Sequence, residues 1–260
     1  MHNYCKTIGA LAAVSALVAG NASAEVEYEL HTGYSNEYLL RGINLGQDLI
    51  EVGADVKCEA AGLSLSAGAW YGSFDNAGPT VLDVDTFTDT GRLRLADGDV
   101  GELDLYGQVS KDFGFLTGSV GYIYRYFESN EINTMGTQEV FFGVSRQFFG
   151  IDTSLNYFWS IESADGSPLY NEGYSELALS KSFELSQCLT LNCGGKLGYL
   201  VEEGVLTAFT TKVSLDWGFT PTAKLSPFVA YAIALDDDAK LADYQSKNQF
   251  VGGMMLSVGF

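Results

Sequence analysis

The chain has 260 residues, 33 of them acidic and 14 basic, for a formal net charge of −19 at pH 7. That balance argues against a basic patch for nucleic acid or for an anionic lipid surface. Charged residues make up 18%, against about a quarter in average soluble proteins. Beyond the first 24 residues no apolar run reaches the roughly 18 residues of a helical membrane span.

At the start, Lys6 and the apolar stretch IGALAAVSALVAG precede Ala22-Ser23-Ala24. A base, a short apolar core and small residues two apart make an export signal. We therefore expect residues 1–24 to be a signal peptide and 25–260 one domain.

From residue 26 onward, period-2 alternation recurs in segments of about ten residues, the pattern of transmembrane barrel strands. Twelve segments can be drawn. In the second, Ile50, Val52, Ala54 and Val56 oppose Glu51, Gly53, Asp55 and Lys57. The seventh sets Ile151, Thr153, Leu155, Tyr157, Trp159 and Ile161 against Asp152, Ser154 and Asn156. The tenth places Val205, Thr207, Phe209, Thr211 and Val213 opposite Ala208, Thr210, Lys212, Ser214 and Asp216. The eleventh opposes Leu225, Val229, Tyr231 and Ile233 to Lys224, Ser226 and Ala230. In the twelfth, Phe250, Gly252, Met254, Leu256, Val258 and Phe260 share one face.

Short connections are expected at EAAGL, KDFGF, QFFGI, ELSQCL and WGFTPTAK. Longer ones are expected at 42–48, 75–100, 128–136, 163–172 and 237–247, with VEEG the short exception. Alternating short and long connections, with an even strand number, are the habit of outer-membrane barrels. The expected fold is all-β, a transmembrane antiparallel up-and-down β-barrel of twelve strands. The apolar face meets hydrocarbon, with Tyr71, Tyr124, Tyr126, Trp159, Trp217 and Tyr231 at the interfaces. A terminal aromatic at Phe260 suits recognition by outer-membrane assembly machinery. The 75–100 connection, with Gly78-Pro79, is the candidate for a constriction or lid.

The polar face then lines a bore. Its candidates are Arg41, Glu51, Asp55, Glu102, Asp104, Arg125, Glu139, Asp152, Lys212 and Asp216, with Glu162, Glu176, Glu202, Asp236, Lys57, Lys196 and Lys224 added by parity. Acids outnumber bases, so a channel should favour cations or neutral solutes. Arg41 and Arg125 are the expected organising bases, each bridging acids on neighbouring strands. In an oxidising compartment Cys188 and Cys193 can close a small disulfide loop or remain thiols. His31, the one histidine beyond the leader, lies about 13 Å along its strand from Ser35, too far for a nucleophile–base pair. No catalytic role, metal site or cofactor is expected. The acidic groups Asp83, Asp85, Asp89 and Asp236–Asp238 lack EF-hand spacing and read as solvated loops, with divalent bridging to lipopolysaccharide as a variant.

Four words carry a family resemblance: GYSNEYLLRGINLG, GELDLYGQVSKDFG, GYIYRYF and QEVFFGVSRQF. Tyr38, Arg41, Gly42, Ile43 and Asn44 match an aromatic-x-x-Arg-Gly-Ile-Ser word, with Asn in place of Ser. Glu102, Asp104, Tyr106 and Gly107 correspond to a Glu-x-Asp-x-Tyr-x-Gly word, with the glycine one position earlier. In these the chain resembles the TorF family of Gram-negative outer-membrane porins. The resemblance implies a barrel of this size, an outer-membrane location and a channel role without a known solute. The expected function is passive diffusion of small solutes. The alternatives are a closed structural or surface-binding barrel and, behind it, a lipid-modifying enzyme. Expected partners are outer-membrane lipid, lipopolysaccharide, the assembly machinery and small solutes, with no nucleic acid.

Overall fold

The computed structural model describes residues 26–75, 99–129, 135–162, 173–202, 204–235 and 248–260. Twelve strands follow in chain order. They are β1 (Val26–Leu40), β2 (Ile43–Ala60), β3 (Leu63–Asp75), β4 (Asp99–Asp112), β5 (Thr117–Ser129) and β6 (Met135–Phe148). Then come β7 (Ile151–Glu162), β8 (Tyr174–Ser186), β9 (Leu189–Leu200), β10 (Val205–Gly218), β11 (Ala223–Ala234) and β12 (Gln249–Gly259). Each pairs antiparallel with its sequence neighbours, and β12 returns to β1, so the sheet closes. Backbone bonds between Tyr28 and Phe260 complete the seam. In hydrocarbon no strand edge can go unpaired, which is why closure and apolar outer faces come together.

The wall has the expected orientation. Ile50, Val52, Leu155, Trp159, Phe250 and Met254 are all exposed on the outer surface. In a bilayer each large side chain gains roughly 1.5–3 kcal/mol by leaving water. One correction falls on β10. Its pairing with β9 shifts between Leu206 and Phe209. This bulge turns Leu206 outward and leaves Thr207 and Ala208 both buried. Val205 packs inward against Tyr174 and Leu200. An extra residue breaks the period of 2, so Val205 and Thr207 leave the outer face assigned by simple alternation.

The tight turns at Ala61-Gly62 and Phe149-Gly150 have positive φ at both residues. That is the I′ geometry whose twist suits a hairpin. They lie at the same end of the barrel as Val26 and Phe260, which is the periplasmic end by the short-turn rule.

The 42–48 stretch is the largest departure from expectation. It is no loop: β1 and β2 continue as a hairpin to a third turn of the same kind, Arg41 (φ 55) and Gly42 (φ 84). With 15 and 18 residues, these strands exceed the roughly 9–11 a membrane crossing needs. The excess folds into the bore. The 75–100 lid candidate lies mostly outside the described residues, as do Asp83, Asp85, Asp89 and Asp236–Asp238.

Candidate functional site: the bore and its hairpin plug

Two local features bend the hairpin inward. β1 pairs with β12 only as far as Ser35–Gly253. At the next residue the Asn36 side chain takes over. Its amide nitrogen donates to the Phe250 carbonyl (3.3 Å), and its oxygen accepts from Gly252 N–H (2.7 Å). A side-chain amide carries the same donor and acceptor as a peptide, so it satisfies β12 where the β1 backbone leaves. On β2, pairing with β3 shifts between Gln47 and Ile50, around Asp48 at φ 52. Asp is among the few non-glycine residues that tolerate this conformation. Tyr34 Oη donates to Asp48 Oδ1 at 2.5 Å.

The tip then reaches the far wall. Arg41 Nη2 donates to Glu139 on β6, 2.7 Å to Oε1 and 2.8 Å to Oε2. Its guanidinium lies 4.4 Å from the Tyr174 ring centre on β8 and 5.0 Å from that of Phe158 on β7. Next to it, Gly42 faces Ala208 of β10 so closely that a Cβ could not fit. At the root of the tip, Asn44 Oδ1 accepts from Gly46 N–H at 2.9 Å.

Arg125 on β5 ties the plug's anchor to the wall. It donates through Nη1 to Glu139 Oε2, and its Nε lies 3.2 Å from Asp104 Oδ2 and 3.9 Å from Glu102 Oε1. Two guanidinium groups and three carboxylates thus share one layer, where Glu102 is 0% and Glu139 1% exposed. Charges removed from water at such cost persist only when paired, and removal of one partner strands the others. Beside them Ile43, Leu45, Leu49, Phe74, Val100 and Phe127 form an apolar cluster with Tyr38, Leu40 and Trp70 packed on it. All twelve strands contribute a buried inward residue in this half of the barrel; Ser35, Tyr174, Ala232 and Val251 are among them. The outer half of the bore is filled.

The rest of the bore is different. Glu51 Oε2 accepts from Trp70 Nε1 (2.6 Å), and Asp55 Oδ1 accepts from Tyr106 Oη (2.6 Å). His31 Nδ1 lies 3.3 Å from Asp55 Oδ2, so the imidazole faces the bore rather than lipid. Lys196 pairs with Glu176 at 3.1 Å yet keeps 60% of its side chain exposed. Lys212 is exposed, its ammonium 4.2 Å from the Phe228 ring centre. Asp216 is half-buried opposite Thr190. At the mouth Asp152 accepts from Gln147 Nε2 at 3.0 Å. A recess of about 310 Å³ opens beside it, bounded by Thr117, Ser145 and Ser180.

All ten candidate bore residues therefore face inward, but they divide. Arg41, Glu102, Asp104, Arg125 and Glu139 converge on the plug. Glu51, Asp55, Asp152, Lys212 and Asp216 line the water-accessible part. Arg125 bridges neighbouring strands as expected, whereas Arg41 crosses the bore instead. Glu202 sits exposed in the β9–β10 turn, and the side chain of Glu162 and all of Asp236 lie outside the described residues. Cys188 and Cys193 are free. Cys188 ends the turn before β9 and Cys193 lies five residues on within that extended strand, so at roughly 3.3 Å per residue they stand about 16 Å apart, beyond the 7 Å or so a disulfide spans. Asn36, Asp48, Phe158 and Tyr174 were not singled out by the sequence reading. Asp48 entered only as the last residue of the expected 42–48 connection.

No family model matches the sequence, and no curated protein matches it. Solved structures do. An outer-membrane channel from Pseudomonas putida F1 is similar at a TM-score of 0.54 and 12% identity, covering 90% of this chain and 95% of that one. The NanC porin is similar at a TM-score of 0.50 and 9% identity, covering 89% and 98%. The chain has the porin-like fold of an outer-membrane barrel. At these identities the likeness concerns architecture. The apolar outer wall and closed sheet fit it to the outer membrane.

Proposed function

We propose that the protein is an outer-membrane porin-like channel for passive diffusion of small solutes, preferring cations or neutral molecules, and that the β1–β2 hairpin is its closure. The observation that carries this reading is the construction of the plug. It is a continuation of two wall strands, hinged at Asn36 and Asp48 and held at its tip by Arg41 on Glu139. A barrel filled by its own wall residues could not open without unfolding; one filled by a hinged hairpin can. The preference follows from the acid excess among inward residues. In a narrow low-dielectric tube that excess repels anions.

Membership of the TorF family is supported by where its two words meet: Tyr38, Arg41, Gly42, Ile43 and Asn44 form the plug, while Glu102 and Asp104 stand with Arg125 behind its anchor. Passive diffusion requires no catalytic group or cofactor. The environment expected around the barrel is outer-membrane lipid and lipopolysaccharide, reached through the assembly machinery.

Planar-bilayer recording tests the reading. Wild-type protein should show low or infrequent conductance. Arg41→Ala should show a sustained open state whose reversal potential in a KCl gradient favours potassium. Chloride preference would overturn the selectivity. Absence of current from both folded proteins would favour the second reading, a closed structural or surface-binding barrel, which the filled outer half recommends.

A further inference from the structure

The described residues include nine Lys or Arg. Six face the bore, and three face lipid: Lys111 on β4, Arg146 on β6 and Lys181 on β8. All three lie toward the periplasmic ends of strands running the same way. Each sits two residues before a phenylalanine on the same face, with its cation over the ring: Lys111 on Phe113 at 5.6 Å, Arg146 on Phe148 at 5.1 Å, Lys181 on Phe183 at 5.5 Å. Carboxylates of the same strands, Glu102, Asp104, Glu139, Glu176 and Glu184, point inward. A chain of net charge −19 thus carries a local basic arc on its outer wall.

Above Lys181 the wall is hollowed. Gly195 on β9 lies between Leu179 and Thr211 in the pairing register and gives no side chain to the outer face. The result is a groove of about 550 Å³ bordered by Leu177, Leu179, Leu197, Phe209 and Ile151, with Lys181 beside it. The Lys181 ammonium stands near the β6–β7 turn, 3.9 Å from where a Cβ on Gly150 would be. An aliphatic stem against apolar wall with its charge at a turn is the posture of a lysine reaching for the headgroup layer.

We propose that this groove binds one phospholipid of the periplasmic leaflet, its acyl chain in the hollow and its phosphate on Lys181, with Arg146 and Lys111 extending the same anion-favouring rim. The occupant follows from the chemistry. The hollow faces hydrocarbon and has an almost wholly apolar lining. Its single charge is a cation at the level where phosphates lie, and basic residues near a membrane surface attract anionic lipid. Lipopolysaccharide occupies the opposite leaflet and does not reach this end.

Native mass spectrometry of the protein in mild detergent, titrated with phosphatidylglycerol or with diacylglycerol, tests the site. Wild-type protein should retain one phosphatidylglycerol and take up diacylglycerol far less. Lys181→Gln should weaken phosphatidylglycerol about fivefold, and Lys224→Gln, on an inward base, should leave it unchanged. Gly195→Leu should abolish retention. The atoms nearest its new Cβ are two of the Phe209 ring at 3.4 Å and the Thr210 carbonyl oxygen at 3.8 Å, ordinary van der Waals contact, so the barrel should still fold and show heat-modifiable migration. Equal binding of both lipids, or unchanged binding in Lys181→Gln and Gly195→Leu, would overturn the proposal. So would a dimer in the spectra that Gly195→Leu dissolves, since a second copy would then fill the groove. None of these outcomes depends on whether the bore conducts.

Discussion

Away from the hairpin tip, Lys196 keeps 60% of its side chain open to water and Asp55 37%. In the outer half Glu102 keeps none, and Arg125 8%. Both halves are made from inward-facing charged residues at alternate positions of the same strands. What separates them is the hairpin tip, which keeps water from the outer set and adds Arg41 as a partner for Glu139. The same alternation therefore yields a solvated lining where the bore is empty and a paired ionic layer where the chain folds back into it. Inward polarity in a barrel does not distinguish a pore from a plug; the partner does.

That contrast can be broken from the plug side first. Glu139→Ala removes the acceptor shared by Arg41 and Arg125 and leaves two guanidinium groups without it. It should destabilise the outer half by about 3–5 kcal/mol, read as a lowered melting temperature and as solvent access to a cysteine label at the hairpin tip. Next, Gly42→Ala places a methyl against Ala208 at a left-handed φ. Overpacking and conformation together should cost about 3 kcal/mol. Adding Ala208→Gly should return the steric part only, and a double-mutant cycle on melting measures that coupling. Asn36→Leu deletes two bonds to β12, about 1 kcal/mol each. Faster exchange of the Gly252 amide, with exchange at the periplasmic turns unchanged, is the expected sign. The smallest effect belongs to the solvated half. Lys212→Glu exchanges a water-accessible charge, worth less than about 1 kcal/mol, and should move the reversal potential slightly further toward cations with stability unaltered.

Much of the barrel was legible because lipid outside and polar groups inside impose a period of 2 that no other environment here interrupts. Ile50, Val52, Phe250 and Met254 could be placed from their spacing alone. Face assignment by alternation breaks where that period breaks. The bulge at Thr207–Ala208 reversed one strand end. The sequence "GINLGQD" carries Gly, Asn and Asp, which ordinarily mark a loop. Here the same residues serve a turn at Gly42, a backbone bond at Asn44 and a bend at Asp48 within paired strands. Arg41 was legible as an organising base but not as a spanning one. Its partner lies 98 positions away in sequence on the opposite wall, and neighbour-strand reasoning reaches only the adjacent register. Of the two states left open for Cys188 and Cys193 the structure has the thiols, because a spacing short in sequence is long in an extended strand.

The Asn36 side chain carries a last implication. By standing in for a missing stretch of β1, it lets the edge of β12 stay satisfied whatever the tip beyond it does. The fitness of the cylinder and the tightness of its stopper are thereby assigned to different residues. Substitutions beyond position 36 can retune how firmly the passage is shut without reopening the question of whether the protein inserts and survives in its membrane.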